Sequence, residues 1–282
     1  MIRSTVLIVL AIFSISVSAF TNRVLLTKSS GPLSGFVFVP TDGVTPGFYV
    51  TKYEVMAEAS SPLTNQKIVS RPGSGLATIA GLTFDGISSV CKGFGPKVDV
   101  ISNSQWQVIA RNIAKNGKNW SSGSKNVGAI NIGLIIKTTS GAGLSDETDN
   151  CLGTGEVCSR NVWSAQRRTH ELSNGSIIWD FAGNFPEYVS GAPTRFNAYA
   201  SGSTIETLDA DPTASNLYGN DPNCDQANCG YGSYYVPNGI TAIIRGGDPG
   251  FSGSTQGLFS VQGIIYSNNP TTGASFRCVY TP

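Results

Sequence analysis

The chain has 282 residues, of which 40% are hydrophobic, 13% are charged and 33 are glycine. This length can bury a sizeable core, and abundant glycine with few charges is typical of a loop-rich, β-containing extracellular protein rather than a helical cytosolic enzyme. The formal net charge of +1 provides no basic surface for nucleic acid or an anionic membrane, which argues against both as partners.

The N-terminal segment has the pattern of a secretory signal peptide. It contains Arg3, an apolar run at 6–17 and small residues up to Ala19, after which we predict cleavage. The run is too short to span a membrane comfortably, and no second run of spanning length follows it. We therefore predict a mature protein without a membrane span, secreted or located at the cell surface or in the periplasm. Cleavage of the signal peptide would remove Arg3, one of the 19 basic residues, and leave 18 basic and 18 acidic residues.

Short strands and one clear helix follow. Residues 35–40 and 47–55 are aromatic and β-branched segments bounded by turn residues, which predicts two strands. Ser102 and Gln105, three positions apart, form a capping-box pattern. The apolar residues after this cap recur on one helical face: Trp106, Ile109, Ala110 and Ile113. A weaker pattern predicts another helix at 83–91.

The second half of the sequence is richer in loops. Residues 115–158 are mostly Gly, Ser, Asn and Thr, from which we expect long ordered loops. Residues 168–179 contain two β-prone runs around Asn174-Gly175, which predicts a hairpin with a two-residue turn. Another irregular stretch covers 190–237, and we predict two more strands joined by a loop in the C-terminal part.

The six cysteines indicate three disulfides, because an even number in an exported chain is typical of a disulfide framework. Their spacing suggests two local loops and one long-range closure. Of the fifteen possible connectivities, the least strained one has these pairs: Cys151–Cys158, Cys224–Cys229 and Cys91–Cys278.

Five segments, in order along the chain, resemble the formylglycine-generating enzyme family, also called sulfatase-modifying factor domains. They are FYVTKYEV, VISNSQWQVIAR, DFAGNFPEYV, IIRGGD and SFRCV. The resemblance implies an α+β fold of the C-type-lectin-like class, loop-rich, with small antiparallel sheets and about two helices. It places this domain at 35–282, after the signal peptide at 1–19 and a lead-in at 20–34. It also implies the disulfide between Cys91 and Cys278.

The segment WDFAGNFPEYV places two carboxylates in apolar surroundings. In the family that it resembles, this turn binds calcium. Carried over, the ligands are the side chains of Asp180 and Glu187 and the carbonyl oxygens of Gly183 and Phe185. Calcium prefers several hard oxygens, which an irregular turn can direct inward between two carboxylates. The residues alone also allow a simpler interpretation, in which Asp180 caps a turn and Glu187 is a solvated strand residue.

The catalytic groups of that family are missing from their usual place. Its enzymes bind copper through two cysteines that shortly follow Arg-Gly-Gly-Ser and oxidise a cysteine of the substrate protein. Here no cysteine lies between Gly247 and Cys278. Cys224 and Cys229 have the same separation but precede this segment. We favour a local disulfide for them in an exported polar loop, and a displaced thiolate pair for copper(I) is the alternative.

Other catalytic arrangements have little support. The only histidine, His170, cannot form an iron site that needs several histidines, and a surface or core role is favoured for it. A Ser-His-Asp hydrolase would need it as the base, yet no Gly-x-Ser-x-Gly segment is present. Two acidic pairs lie in polar loops, where a solvated role is favoured over acid–base chemistry: Asp146 with Glu147, and Asp209 with Asp211.

We therefore predict an exported, non-catalytic binding or adhesion module whose ligand is an extracellular glycan or protein. Non-enzymatic relatives of this fold bind ligands between the Arg-Gly-Gly strand and the terminal strand. In this interval, rings and amides suit carbohydrate or protein recognition at Asp248, Phe251, Gln256, Phe259, Gln262, Tyr266, Asn268 and Asn269. For any one of them a core or loop position is the alternative. Two other functions stay open: a copper-dependent oxidase of the formylglycine-generating type using Cys224 and Cys229, and a structural surface or fibre component.

Overall fold

The structure, a computed structural model, describes these residues: 35–57, 68–70, 84–125, 127–135, 148–156, 158, 162–191, 234–235, 242–247, 256–264 and 274–282. Within these ranges the fold is mixed α+β, with two α-helices and small, mainly antiparallel sheets. This is the coarse class that the sequence predicts. No helix within them is long and apolar enough to cross a membrane.

All elements are short and are separated by loops. The helices are α1 (Phe84–Lys92) and α2 (Asn103–Lys115), and a 3-10 turn follows at Gly117–Asn119. The strands are β1 (Phe36–Val39), β2 (Phe48–Thr51), β3 (Val55–Ala57), β4 (Ile68–Ser70), β5 (Val98–Val100), β6 (Thr169–Glu171), β7 (Ile177–Trp179), β8 (Glu187–Val189), β9 (Tyr234–Tyr235), β10 (Ala242–Arg245), β11 (Val261–Ile264), β12 (Ser275–Phe276) and β13 (Cys278–Tyr280). Strands this short depend on packing against other elements for their stability.

The strands form a four-stranded sheet, a five-stranded sheet and two hairpins. The four-stranded sheet has the order β1-β2-β13-β5 and is antiparallel throughout. The five-stranded sheet has the order β12-β8-β10-β11-β9, and its two edge strands pair in parallel with their neighbours. The C-terminal segment enters both sheets, because β12 lies in one and β13 in the other. Arg277 separates these two strands and therefore lies where the sheets meet.

The predicted strand at 47–55 is divided into β2 and β3. The backbone between them bonds to other segments: the Lys52 amide donates to the Gly35 carbonyl at 2.8 Å, and the Lys52 carbonyl accepts from the Trp179 amide at 2.9 Å. Because the Lys52 backbone bonds to these segments, the strand does not continue from β2 into β3. Glu54, immediately before β3, is only 1% exposed.

The capping-box helix is confirmed as α2. The Gln105 amide donates to Ser102 Oγ at 3.2 Å, and the Ser102 amide donates to Gln105 Oε1 at 3.0 Å. The apolar face of the helix lies in the main core. There Trp106 stacks on Phe181 with ring centroids 3.9 Å apart and donates its indole N–H to the Leu258 carbonyl at 2.9 Å. The core therefore joins α2 directly to the turn that follows β7.

Two of the predicted disulfides are confirmed, as is the weaker helix, α1. Cys91 in α1 bonds to Cys278 in β13 across a sequence separation of 187 residues. Cys151 and Cys158 close a local loop with a separation of 7. Each disulfide stabilises the fold because it lowers the entropy of the unfolded chain. This effect is about 5 kcal/mol for Cys91–Cys278 and about 2 kcal/mol for Cys151–Cys158. The other two cysteines of the sequence lie outside the described residues.

The predicted hairpin at 168–179 is formed by β6 and β7, but its two-residue turn is wrong. The Leu172 amide donates to the Ser176 carbonyl at 2.8 Å, and the Gly175 amide donates to the Leu172 carbonyl at 2.9 Å. The loop between the closing pair is therefore 173–175. Gly175, with φ of 80°, supplies the left-handed residue with which this longer loop ends.

Candidate functional site

The predicted calcium turn is held by two buried ion pairs. Arg168 donates through Nε to Asp180 Oδ1 and through Nη2 to Oδ2, each at 2.8 Å. Arg277 Nε donates to Glu187 Oε1 at 2.9 Å. The side chains of all four residues are between 0% and 2% exposed. Glu187 is therefore not the solvated strand residue of the simpler interpretation.

These contacts do not fit the predicted calcium ligand set. Both oxygens of Asp180 already accept hydrogen bonds, and a guanidinium beside each carboxylate repels a divalent cation. Glu187 Oε2 is the one oxygen of these two carboxylates that has no hydrogen-bond partner. In the part of the chain that the structure describes, no group of three or more His, Cys, Asp or Glu side chains could hold a metal ion. We derive no calcium chemistry from this turn.

Close packing explains the backbone of the turn. Asp180 and Asn184 have positive φ angles of 52° and 60°, and Gly183 has one of 75°. A Cβ atom on Gly183 would lie 2.6 Å from the Ile132 carbonyl oxygen, which is closer than side chains tolerate. The Gly183 amide donates to the Gly246 carbonyl at 3.0 Å. Gly183 is therefore required for the approach of neighbouring backbone segments.

Glu54 joins the same buried cluster. Asn184 Nδ2 donates to Glu54 Oε2 at 2.6 Å, whereas Glu54 Oε1 has no hydrogen-bond partner. Burial, followed by repulsion from Glu187 and Asp180, raises the pKa of Glu54 well above its usual value. Burial also raises the pKa of Glu187, although Arg277 opposes the shift. The cluster therefore favours a protonated, neutral Glu54 beside two ion pairs.

Arg277 joins this cluster to the surrounding backbone. Its Nη1 donates to the carbonyls of Thr51 and Lys52 at 3.2 Å each, and its Nη2 donates to those of Trp179 and Asp180. One guanidinium thus connects β2, β7 and the turn. We call the cluster the ion-pair frame; its members are Glu54, Arg168, Asp180, Glu187 and Arg277.

Two of the predicted ligand contacts are core residues. Gln256 is 1% exposed and Phe259 is 6% exposed, and the Phe259 carbonyl accepts from buried Arg245 at 3.2 Å. Because their side chains are enclosed by the protein, the prediction of surface contacts at these two positions is not retained. Gln262 in β11 is partly exposed. The remaining predicted contacts lie outside the described residues: Asp248, Phe251, Tyr266, Asn268 and Asn269.

His170 is a core residue, as the sequence favoured. It is fully buried, and its Nε2 lies 3.0 Å from the Asn131 carbonyl oxygen. Burial lowers the pKa of His170 to about 3, so the ring is neutral near pH 7. The described ranges do not include the other candidate catalytic residues: Asp146, Glu147, Asp209, Asp211, Cys224 and Cys229.

A cavity of about 760 Å³ lies where the 3-10 turn, the β6–β7 hairpin and neighbouring loops meet. Trp120, Trp163 and Trp179 border it, but Trp120 and Trp179 are 1% and 2% exposed, so Trp163 is the one of the three with accessible ring surface. Trp106, the fourth tryptophan of the chain, is in the core. We call it the tryptophan cavity. Its other lining residues are Lys52, Lys118, Ser121, Ser122, Gly123, Asn150, Arg167, Thr169, Glu171, Gly175 and Ile177.

Polar side chains that are almost fully buried line the inner part of the cavity. Asn150, Arg167 and Thr169 are 8%, 7% and 4% exposed. Arg167 Nε donates to the Thr169 carbonyl at 3.1 Å, and its Nη2 donates to the Lys118 carbonyl and to Asn131 Oδ1 at 3.2 Å each. No described residue accepts from Arg167 Nη1. The side chains of Asn150 and Thr169 likewise form no hydrogen bond with a described residue.

Protein contacts fix the aromatic rings of the cavity. Trp163, which is partly exposed, donates its indole N–H to the Asn119 carbonyl at 3.2 Å. Trp120 donates to the Ala114 carbonyl at 2.8 Å. The guanidinium carbon of Arg168 lies 5.6 Å from the centre of the Trp179 ring. Trp179 therefore belongs to the cavity and also contacts the ion-pair frame.

Charged side chains lie at the more exposed part of the lining. Lys118 Nζ and Glu171 Oε1 form an ion pair at 2.6 Å, with side chains that are 71% and 23% exposed. Lys52 and Arg167 add two further positive charges. The described part of the lining therefore has more positive than negative charge, although the whole chain is almost neutral.

The sequence predictions missed this cavity. Trp120 and Trp163 lie in stretches otherwise rich in Ser, Asn and Gly. Large aromatic residues in polar loops are a signal for ligand contact, and this one could have been noticed. The partners of Arg167 come from separate segments of the chain, so the inner wall could not be recognised in the same way.

Comparison with known proteins does not assign a function. No protein-family model matches the sequence, and no curated protein sequence matches it either.

Proposed function

We propose that the protein is an exported, non-catalytic binding module on a C-type-lectin-like scaffold of the sulfatase-modifying-factor type, and that it binds a saccharide. The observation that carries the proposal is the tryptophan cavity, whose lining combines the partly exposed ring of Trp163 with two polar side chains, Asn150 and Thr169, that form no hydrogen bond with a described residue. Rings pack on the apolar faces of sugars while amides and hydroxyls bind sugar hydroxyl groups.

The shape of the site favours a saccharide over a folded protein. Small-molecule sites are concave, with volumes of roughly 300–1,000 Å³, and this cavity of about 760 Å³ lies in that range. A protein partner typically needs about 800 Å² of surface on each side. A concave site with buried polar groups suits a ligand of a few sugar rings better.

The buried contacts of the five segments support the proposed scaffold. Glu54, Asp180, Glu187 and Arg277 come from three of them and meet in the ion-pair frame. Trp106 of a fourth segment stacks on the turn between β7 and β8. The fifth contributes Arg245 and Gly246, and the Gly246 carbonyl accepts from the amide of Gly183. Segments that resemble one family in sequence order also pack together here.

Export has two supports of different kinds. The sequence predicts a signal peptide at 1–19, and the two disulfides of the described residues fit an oxidising, extracellular compartment. The non-catalytic part of the proposal follows from the missing cysteine pair after Arg-Gly-Gly and from the buried, neutral His170, which does not line the cavity.

The test is a binding screen of the mature protein, residues 20–282, against immobilised oligosaccharides and extracellular proteins. The deciding variant is Trp163→Ala, which removes one wall of the cavity; Val162→Ala is the matched control, because Val162 is exposed and does not line the site. We expect saccharide binding that weakens about tenfold in Trp163→Ala, the equivalent of ~1.4 kcal/mol, and is unchanged in Val162→Ala. Binding to proteins alone, or saccharide affinity that is the same in the wild type and in Trp163→Ala, would contradict the proposal.

A further inference from the structure

We infer that the ligand of the tryptophan cavity is an acidic saccharide, that is, a sugar carrying an anionic carboxylate or sulfate group. This inference rests on the proposed saccharide-binding function and goes beyond it by naming the chemical class of the sugar. It has three supports: the charge of the described lining, an arginine donor that has no acceptor among the described residues, and the neighbouring neutral polar groups.

The charge of the lining favours an anion. Among the described residues of the lining, Lys52, Lys118 and Arg167 are cationic and Glu171 is acidic. Glu171 is already paired with Lys118 at 2.6 Å. A concave, partly desolvated site with surplus positive charge concentrates the potential and attracts anionic ligands. A site for a neutral sugar has no need of this surplus.

Arg167 provides a donor in a fixed position. Its Nε and Nη2 are held by protein acceptors between 3.1 and 3.4 Å away, so the plane of the guanidinium is set before any ligand binds. Its Nη1 has no acceptor among the described residues, although the side chain is only 7% exposed. An oxygen of an anionic group could therefore accept a charge-assisted hydrogen bond from Nη1 while the contacts of Nε and Nη2 are kept.

Asn150 and Thr169 add groups suited to neutral hydroxyls. Both line the same cavity as Arg167, and neither side chain is hydrogen-bonded to a described residue. An amide both donates and accepts, and a hydroxyl group does the same. An anion on Arg167 with ring hydroxyls on Asn150 and Thr169 is the pattern that a sugar acid or sulfated sugar presents on one ring. The partly exposed ring of Trp163 would cover its apolar face.

The experiment compares anionic oligosaccharides with neutral counterparts of the same length and linkage. The panel contains uronate, sialylated and sulfated probes, each paired with its methyl-ester, desialylated or desulfated form, and calorimetry on the mature protein measures each affinity. We expect at least one anionic probe to bind about tenfold more tightly than its neutral counterpart, with a preference that shrinks as salt increases. The uronate, sialylated and sulfated arms distinguish the two kinds of anionic group.

Two variants test whether the charge of the cavity sets the preference. Asn150→Asp places a carboxylate in the lining with little change of shape, and Lys52→Gln removes one positive charge. We expect each to reduce affinity for the anionic probe about tenfold and to reduce affinity for its neutral counterpart by a smaller factor. Lys97→Gln is the control, because Lys97 is exposed and lies outside the lining. Unchanged melting temperatures would show that the variants fold.

The outcomes separate the two levels of the proposal. Equal affinity for the anionic and neutral members of every pair, with binding lost in Trp163→Ala, would overturn the acidic-saccharide inference and leave the proposed function intact. A panel that shows no saccharide binding at all would overturn both. An anionic preference that survives Asn150→Asp and Lys52→Gln would overturn the assignment of the anion to this cavity.

Discussion

The ion-pair frame and the tryptophan cavity both contain buried arginines, but these arginines differ in their hydrogen-bond partners. In the frame, Arg168 and Arg277 each face a carboxylate, and Arg277 also donates to four backbone carbonyls. In the cavity, the Nε and Nη2 of Arg167 donate to carbonyl and amide oxygens, and no described residue accepts from its Nη1. Arginines that are paired with carboxylates stabilise the fold, whereas a donor at a concave surface without an acceptor among the described residues is suited to bind a ligand.

This difference predicts that a change in the frame affects folding and a change in the cavity affects binding. Replacement of Arg277 by alanine should have the largest effect. The variant leaves Glu187 buried without its partner and removes the donor of four carbonyls. Loss of one member of a buried pair costs about 3 to 5 kcal/mol, which urea unfolding would measure.

An exposed ion pair provides the control for Arg277→Ala. Lys92 lies 3.6 Å from Asp99, with side chains that are 60% and 51% exposed. Lys92→Ala should therefore reduce the free energy of unfolding by less than about 1 kcal/mol. A loss in Arg277→Ala as small as this one would contradict the structural role of the frame.

A matched pair of threonines gives an intermediate effect. Thr51 is buried, and its Oγ1 accepts from the Cys278 amide at 3.3 Å, whereas the Thr169 hydroxyl has no partner among the described residues. Thr51→Val leaves a buried amide unsatisfied and should destabilise the fold by about 1 to 3 kcal/mol. Thr169→Val should change unfolding by less than about 0.5 kcal/mol and weaken saccharide binding several-fold. If the two variants destabilise equally, the contrast between frame and cavity is wrong.

The smallest expected effect concerns the pH dependence of stability. The pKa of Glu54 is raised in the folded protein by burial and by Glu187 and Asp180, so the folded chain retains a proton that the unfolded chain releases. Stability from this group is complete below the usual pKa of 4.5 and declines as pH rises through the folded pKa.

Glu54→Gln tests this assignment, because glutamine keeps the shape and stays neutral. Urea unfolding between pH 5 and 9 should show a smaller decline with rising pH in the variant than in the wild type. Glu156→Gln is the control, since Glu156 is exposed and lies outside the cluster. A decline that is the same in all three proteins would contradict a buried, protonated Glu54.

Local patterns predicted individual elements well. The Ser102–Gln105 cap and the apolar face of α2 depend on residues within four positions of each other, and the structure has both. The hairpin was located correctly, but its loop was not, because Asn174-Gly175 is compatible with more than one loop length. Closure between Leu172 and Ser176 decided that length.

The segment predicted to bind calcium shows what a local pattern leaves undecided. Asp180 and Glu187 were recognised as unusual, but their partners were not. Arg168 lies 12 positions from Asp180, and Arg277 lies 90 positions from Glu187. A sequence motif contains the acceptors and not the donors that neutralise them, so ion pairing and metal binding were equally compatible with it.

The sequence by itself determined the capped helix, the hairpin and the local Cys151–Cys158 loop, because these follow from short-range spacing; the α+β class followed from the resemblance of five segments to one family. Only the tertiary structure decided which carboxylates are neutralised and which polar groups remain without partners. Lys52, Asn150 and Arg167 are far apart along the chain and line one cavity because the hairpin and loops pack around it. Burial and pairing depend on those distant neighbours, and they separate a structural arginine from one that is available to a ligand.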